Sequence, residues 1–104
     1  MRHPLVRVVQ ALVFGLLLAG VAQAAPVSIV AAESTYGVIA QAIGGDKVAV
    51  DSIIRNPNVD PHSFEATPAV ARKVARAQIV LLNGLGYDDW MDKMLAASPA
   101  PNRQ

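Results

Sequence analysis

The 104-residue sequence contains no cysteine, which excludes a disulfide framework and a lipidated cysteine at a processed N-terminus. Aromatic residues number five and do not interleave with the basic residues. Those basic residues form no stripe, so nucleic-acid binding is not expected. Histidine occurs only at His3 and His62. The longest apolar run covers residues 11–22, well short of the ~20 residues that cross a bilayer.

The N-terminus has an organisation of its own. Arg2, His3 and Arg7 make a basic start, the apolar run follows, and Ala22-Gln23-Ala24 ends it with small residues around one variable position. These are the three parts of a secretory signal peptide. Residues 1–24 are expected to be removed before Ala25, placing the product in the periplasm. A secreted chain without cysteine must rely on its core. Residues 25–104 carry seven basic and eight acidic side chains, a net charge of −1. The +1 of the whole chain owes its sign to Arg2 and Arg7.

Residues 27–32 are a short apolar, partly β-branched run that reads as a buried strand. Ser34 or Thr35 is placed to cap a helix carrying Tyr36, Ile39, Ala40 and Ile43 on one face, and Gly44-Gly45 ends it. Residues 47–54 read as a second strand, its apolar run broken by Asp51. Thr67-Pro68 is a strong helix start, a hydroxyl cap followed by proline at the first helical position. The helix over residues 69–77 turns Val70, Ala71, Val74 and Ala77 inward and leaves Arg72, Lys73 and Arg76 solvated. Residues 78–82 read as a third strand ended by Asn83-Gly84. Asp88 or Asp89 is placed to cap a helix over residues 90–97, with Met91, Met94 and Leu95 on one face and Asp89–Lys93 as an i, i+4 ion pair. Residues 98–104 hold two prolines and read as an irregular tail. The order βαβαβα predicts an α/β fold with a three-stranded parallel sheet. A parallel sheet is normally covered on both faces and seldom stops at three strands, so the unit is expected to be part of a larger lobe.

In open α/β sheets, ligands bind outside the carboxyl ends of the strands. Three loops leave those ends, starting at Glu33, Arg55 and Asn83. The second holds Asn-Pro-Asn-Val-Asp-Pro-His-Ser-Phe-Glu-Ala-Thr-Pro, residues 56–68. Its prolines restrict the backbone that presents His62, and a neutral imidazole is a good ligand for zinc and other transition metals. Asp60 or Glu65 is placed to orient the second ring nitrogen. On spacing alone an ordinary surface histidine stays open, because a complete zinc site takes three or four ligands. Gly84-Leu85-Gly86 lacks the third glycine of a dinucleotide fingerprint and reads as turn chemistry. Ser34 and Ser63 have no paired base. Asp88, Asp89 and Asp92 read as helix-start and surface charges, and Tyr87 and Trp90 as packing or lobe surface.

Asp60-Pro61-His62-Ser63-Phe64-Glu65 followed by Thr67-Pro68 resembles the metal-ligand loop of periplasmic zinc- or manganese-binding proteins of ABC transporters. Residues 83–91 and 32–37 resemble two further segments of that family, and the likeness runs over residues 27–99. It implies that residues 25–104 form part of an N-terminal metal-binding lobe with His62 as the first ligand of Zn²⁺ or Mn²⁺. A second histidine of the same lobe and a histidine and a carboxylate of another lobe would complete the site. It further implies a monomer without catalytic activity that delivers its ion to a membrane permease. Two other readings are a metal-dependent hydrolase with Glu65 as base and a metal-linked surface adhesin.

Overall fold

The computed structural model of the protein describes Gly20 and residues 22–104. The expected signal segment lies mostly outside the described residues, and residues 22–26 are exposed without regular structure. Among the described residues three strands, β1 (Val27–Glu33), β2 (Val48–Ile54) and β3 (Ile79–Leu81), alternate with three α-helices, α1 (Ser34–Gly44), α2 (Pro68–Arg76) and α3 (Asp89–Ala97). The sheet is parallel with order β2-β1-β3. Val30 lies opposite Asp51 on one side and Val80 on the other. The expected βαβαβα unit is therefore present, and among the described residues no helix is long and apolar enough to cross a membrane.

Strand alternation divides the apolar residues between two faces. Val30, Ala32 and Val80 face α2 and α3 and pack with Val74, Ala77, Trp90 and Met91. Val74 and Met91 are fully buried, each worth about 1.5–3 kcal/mol of transfer free energy. The other face carries Ile29, Ile79 and Leu81 and, among the described residues, is covered by α1 alone. Beside α1 an apolar trough of about 440 Å³ remains, lined in part by Ile39, Ile43 and Val48. Ile43 is 83% exposed at its rim.

Helix ends follow the sequence in two places and depart from it in two. Thr67 caps α2 by accepting from the Val70 N–H at 3.4 Å, with Pro68 in the first helical position. Gly45, at φ 55°, takes the left-handed conformation that closes α1 and that glycine adopts without steric cost. Neither Ser34 nor Thr35 caps α1: Glu33 holds the cap position and makes no side-chain capping bond, because its side chain belongs to the buried end of β1. Asp88 holds the cap position of α3, again without a capping bond.

Two surface expectations are corrected. Lys73 is not simply solvated; its ammonium lies 2.7 Å from Asp51, which also pairs with Arg55 at 2.7 Å. Both cations hold the Asp51 carboxyl below its ordinary value, the Lys73 hydrogen bond most strongly. Asp89 and Lys93 form no ion pair; among the described residues the pairs involve Asp51 and Asp60. The tail has no helix or strand, as expected, and it is fastened to the fold. Arg103 donates to the carbonyls of Val74 (3.4 Å), Leu95 (3.4 Å) and Ser98 (2.7 Å), satisfying carbonyls near the ends of α2 and α3. Gln104 donates to the Gln78 carbonyl at 3.0 Å and accepts from the Val80 N–H at 2.9 Å, so it lies against the free edge of β3.

Candidate metal centre

The loop after β2 is shaped by its own side chains. Asn56 Oδ1 accepts from the Asn58 N–H at 2.9 Å, and the Val59 N–H closes on the Asn56 carbonyl at 3.1 Å, an Asx-type turn. A 3-10 turn, Pro61–Ser63, follows, with Asp60 as its cap. One carboxylate oxygen, Asp60 Oδ1, receives both the His62 backbone N–H at 3.0 Å and His62 Nδ1 at 2.8 Å. That pairing puts the proton on Nδ1 and leaves the lone pair on Nε2, the arrangement a metal-ligating histidine requires. The His62 hydrogen bonds, side chain before backbone, hold the Asp60 carboxyl below its ordinary value. The His62 side chain is 61% exposed. Two residues on, Phe64 packs on Trp90 with ring centroids 4.7 Å apart, which ties the loop to the core.

The loop after β3 reaches the same edge of the sheet. Gly84, Leu85 and Gly86 all have positive φ, 73°, 57° and 81°; glycine serves the first and third without penalty, while Leu85 carries backbone strain. The Tyr87 N–H closes the turn on the Gly84 carbonyl at 3.2 Å. Asp88, fully buried, turns its carboxylate back into the turn and accepts from the Asn83 N–H at 2.7 Å and the Gly84 N–H at 2.8 Å. Tyr87 is thereby set with its ring 5.0 Å from the His62 ring at an interplanar angle of 74°.

Glu33 lies at the carboxyl end of β1, 8% exposed. Neither of its carboxylate oxygens has a donor, so burial and then Asp88 push its pKa up to about 7. A proton on Glu33 removes the repulsion between the two carboxylates. Tyr36, in the first turn of α1, donates its hydroxyl to Asn83 Oδ1. Its own pKa is raised by desolvation first and then by the charges of Glu33, Asp88 and Tyr87, so these groups form one neighbourhood under the loops.

Of the residues singled out from sequence, His62 and Asp60 are brought together. Glu65 is exposed and makes no hydrogen bond or ion pair among the described residues, whereas Asp60 pairs with the imidazole. Asp88 is not a surface charge, because it spends its oxygens on two backbone donors inside the fold. Sequence reasoning missed Glu33 and the role of Tyr87; the only signal was their position at strand ends beside the loop of His62. Among the described residues no three histidine or acidic side chains converge in metal-binding geometry, so His62 offers one protein ligand.

The family model described as ZnuA, zinc-uptake complex component A, periplasmic, matches residues 29–104. The iron ABC transporter substrate-binding lipoprotein MtsA of Streptococcus pyogenes is 31% identical over 71 residues, 64% of this chain and 23% of the relative. The iron-binding protein YfeA of Yersinia pestis is 36% identical over 55 residues, 53% of this chain and 17% of its own length. A manganese-bound mutant of a periplasmic metal-binding protein from Candidatus Liberibacter asiaticus superposes with a TM-score of 0.65 at 28% identity, over 75% of this chain and 28% of that one. The chain thus spans less than a quarter of the curated relatives it matches. The family match takes in all the secondary structure except the first two residues of β1, and on it the chain belongs to the family of ZnuA, the periplasmic component A of zinc uptake.

Proposed function

We propose that residues 25–104 are part of the N-terminal lobe of an extracytoplasmic solute-binding protein that captures a transition-metal ion and hands it to the membrane permease of an ABC transporter. His62 Nε2 is the first ligand and Asp60 its orienting partner. The observation that carries this reading is the 2.8 Å contact between His62 Nδ1 and Asp60 Oδ1 at the carboxyl edge of the parallel sheet. It leaves the lone pair on Nε2 of a side chain that is 61% exposed. Family membership supports the capture role, and the relatives' names span zinc, manganese and iron. The ion is cargo in this reading, as the family's description as an uptake component supports, and no catalytic step is part of it. A secretory leader over residues 1–24, a periplasmic address and a monomeric state complete it, with Zn²⁺ or Mn²⁺ as the preferred cargo.

Calorimetric titration of the full chain with Zn²⁺ and Mn²⁺, with and without His62→Ala, tests the assignment. Binding that disappears in the variant supports it. Binding that survives with unchanged affinity removes His62 from the site.

A further inference from the structure

We infer that Tyr87 is a positioning residue for the His62 imidazole, and that Asp88 is its anchor. The inference deepens the proposed metal-capture reading and rests on it for its functional consequence, although the ring geometry stands by itself.

Asp60 fixes the His62 ring through Nδ1 alone. One hydrogen bond sets the position of that nitrogen but leaves the ring free to rock about the contact. An exposed side chain, as His62 is, has little else to stop it. The second constraint comes from the other loop. Tyr87 meets the imidazole in an edge-to-face arrangement, centroids 5.0 Å apart at 74°. The positive edge of one ring then meets the negative face of the other, a geometry worth about 0.5–1.5 kcal/mol. Two contacts to the ring, one from each loop, define both the position of Nε2 and the direction of its lone pair.

Such a contact positions His62 only if Tyr87 is itself held. Its backbone N–H closes on Gly84, the turn between them runs through three consecutive positive-φ residues, and the fully buried Asp88 carboxylate clamps the start of the turn by two backbone N–H bonds. The Tyr36 hydroxyl adds a third tie, to the Asn83 side chain. The turn is thus fastened from beneath, and Tyr87 is presented to His62 from a fixed base. The acidic residue that opens α3 serves the metal loop through this turn instead of capping its own helix.

The test is proton NMR of the imidazole signals in the full metal-free chain. His3 is the only other histidine, and His62→Ala identifies the His62 signals by their loss. The inference requires nuclear Overhauser contacts between the His62 and Tyr87 rings. It also requires ring-current displacement of the His62 protons that is kept in Tyr87→Phe and abolished in Tyr87→Leu. Titration with Zn²⁺ alone then gives an affinity about two- to tenfold weaker in Tyr87→Leu than in Tyr87→Phe. Absence of the inter-ring contacts in the unsubstituted chain overturns the inference whether or not any variant folds. Equal Zn²⁺ affinities with His62 signals that still respond to the ion also overturn it, leaving the capture reading intact. His62 signals indifferent to Zn²⁺ in every chain refute the capture reading, and the ring contacts then decide the positioning alone.

Discussion

Glu33 and Asp88 bury their carboxyl groups against one another, Glu33 at the end of β1 and Asp88 at the end of the turn that follows β3. Asp88 is supplied with two backbone donors, whereas Glu33 has none. The proton that makes the pair tolerable therefore resides on Glu33, with a pKa of about 7 against an ordinary 4.5. Tyr36 and Tyr87 are the other titratable groups at this spot, and neither supplies a positive charge.

A pH dependence follows. Between pH 4.5 and about 7 the folded chain holds the Glu33 proton and the unfolded chain has released it. Stability from this group is fully present below pH 4.5, falls as pH rises, and is lost above about 7. The full swing is up to about 3 kcal/mol. Glu33→Gln keeps a donor toward Asp88 at every pH and removes the swing. Urea unfolding of both chains at pH 5 and pH 8 measures it: the stability lost between the two should be smaller in the variant. Equal losses would show that Glu33 does not titrate in this interval.

Gly37 sets how closely α1 lies on β2. A Cβ at that position would collide with Ser52 Oγ and would meet the Ser52 and Val50 side chains at 3.4 Å. Alanine is the better helix former by about 1 kcal/mol, yet the overpacking costs about 1–3 kcal/mol. Gly37→Ala is expected to lower the thermal midpoint. Ser52→Ala removes the colliding hydroxyl, so the double variant should recover most of the loss. The coupling is read from a double-mutant cycle, and additive effects would rule out this contact as the cause.

Where one residue's chemistry decides the local structure, the sequence was readable. Thr67-Pro68 opens α2, Gly45 closes α1 and Gly84-Leu85-Gly86 turns the chain after β3, each for a reason carried by those residues themselves. Asp60, Pro61 and His62 belong to this class too, since the turn that joins them spans four residues. What escaped depends on distant partners. An aspartate before a helix reads as its cap, and only the folded chain shows the Asp88 carboxylate directed back at Asn83 and Gly84. Glu33 ends an apolar strand and gives no sign that its side chain stays inside. The prolines of the tail mark it as irregular, which it is, but they do not show that Arg103 fastens it to carbonyls as far away as Val74. Asp51 reads as an interruption of an apolar strand until Lys73 arrives from α2 to meet it.

Asp60 performs two tasks with one oxygen, bracing the 3-10 turn through the His62 N–H and the ring through Nδ1. Asparagine keeps an acceptor for both bonds but loses the charge, and alanine keeps neither. The metal affinity should therefore fall in steps. Asp60→Ala is expected to weaken Zn²⁺ binding about 10–100-fold, the range found when the partner of a ligating histidine is removed, and Asp60→Asn should lose less. Both side chains are well exposed, 61% for His62 and 60% for Asp60, so neither substitution opens a cavity and the unfolding midpoint should barely move. Competition titration against a zinc-sensitive chelator, alongside thermal unfolding of each variant, separates the two effects. Two variants of equal affinity would mean that the charge and not the hydrogen bond prepares His62, because both substitutions remove the charge and only alanine removes the acceptor.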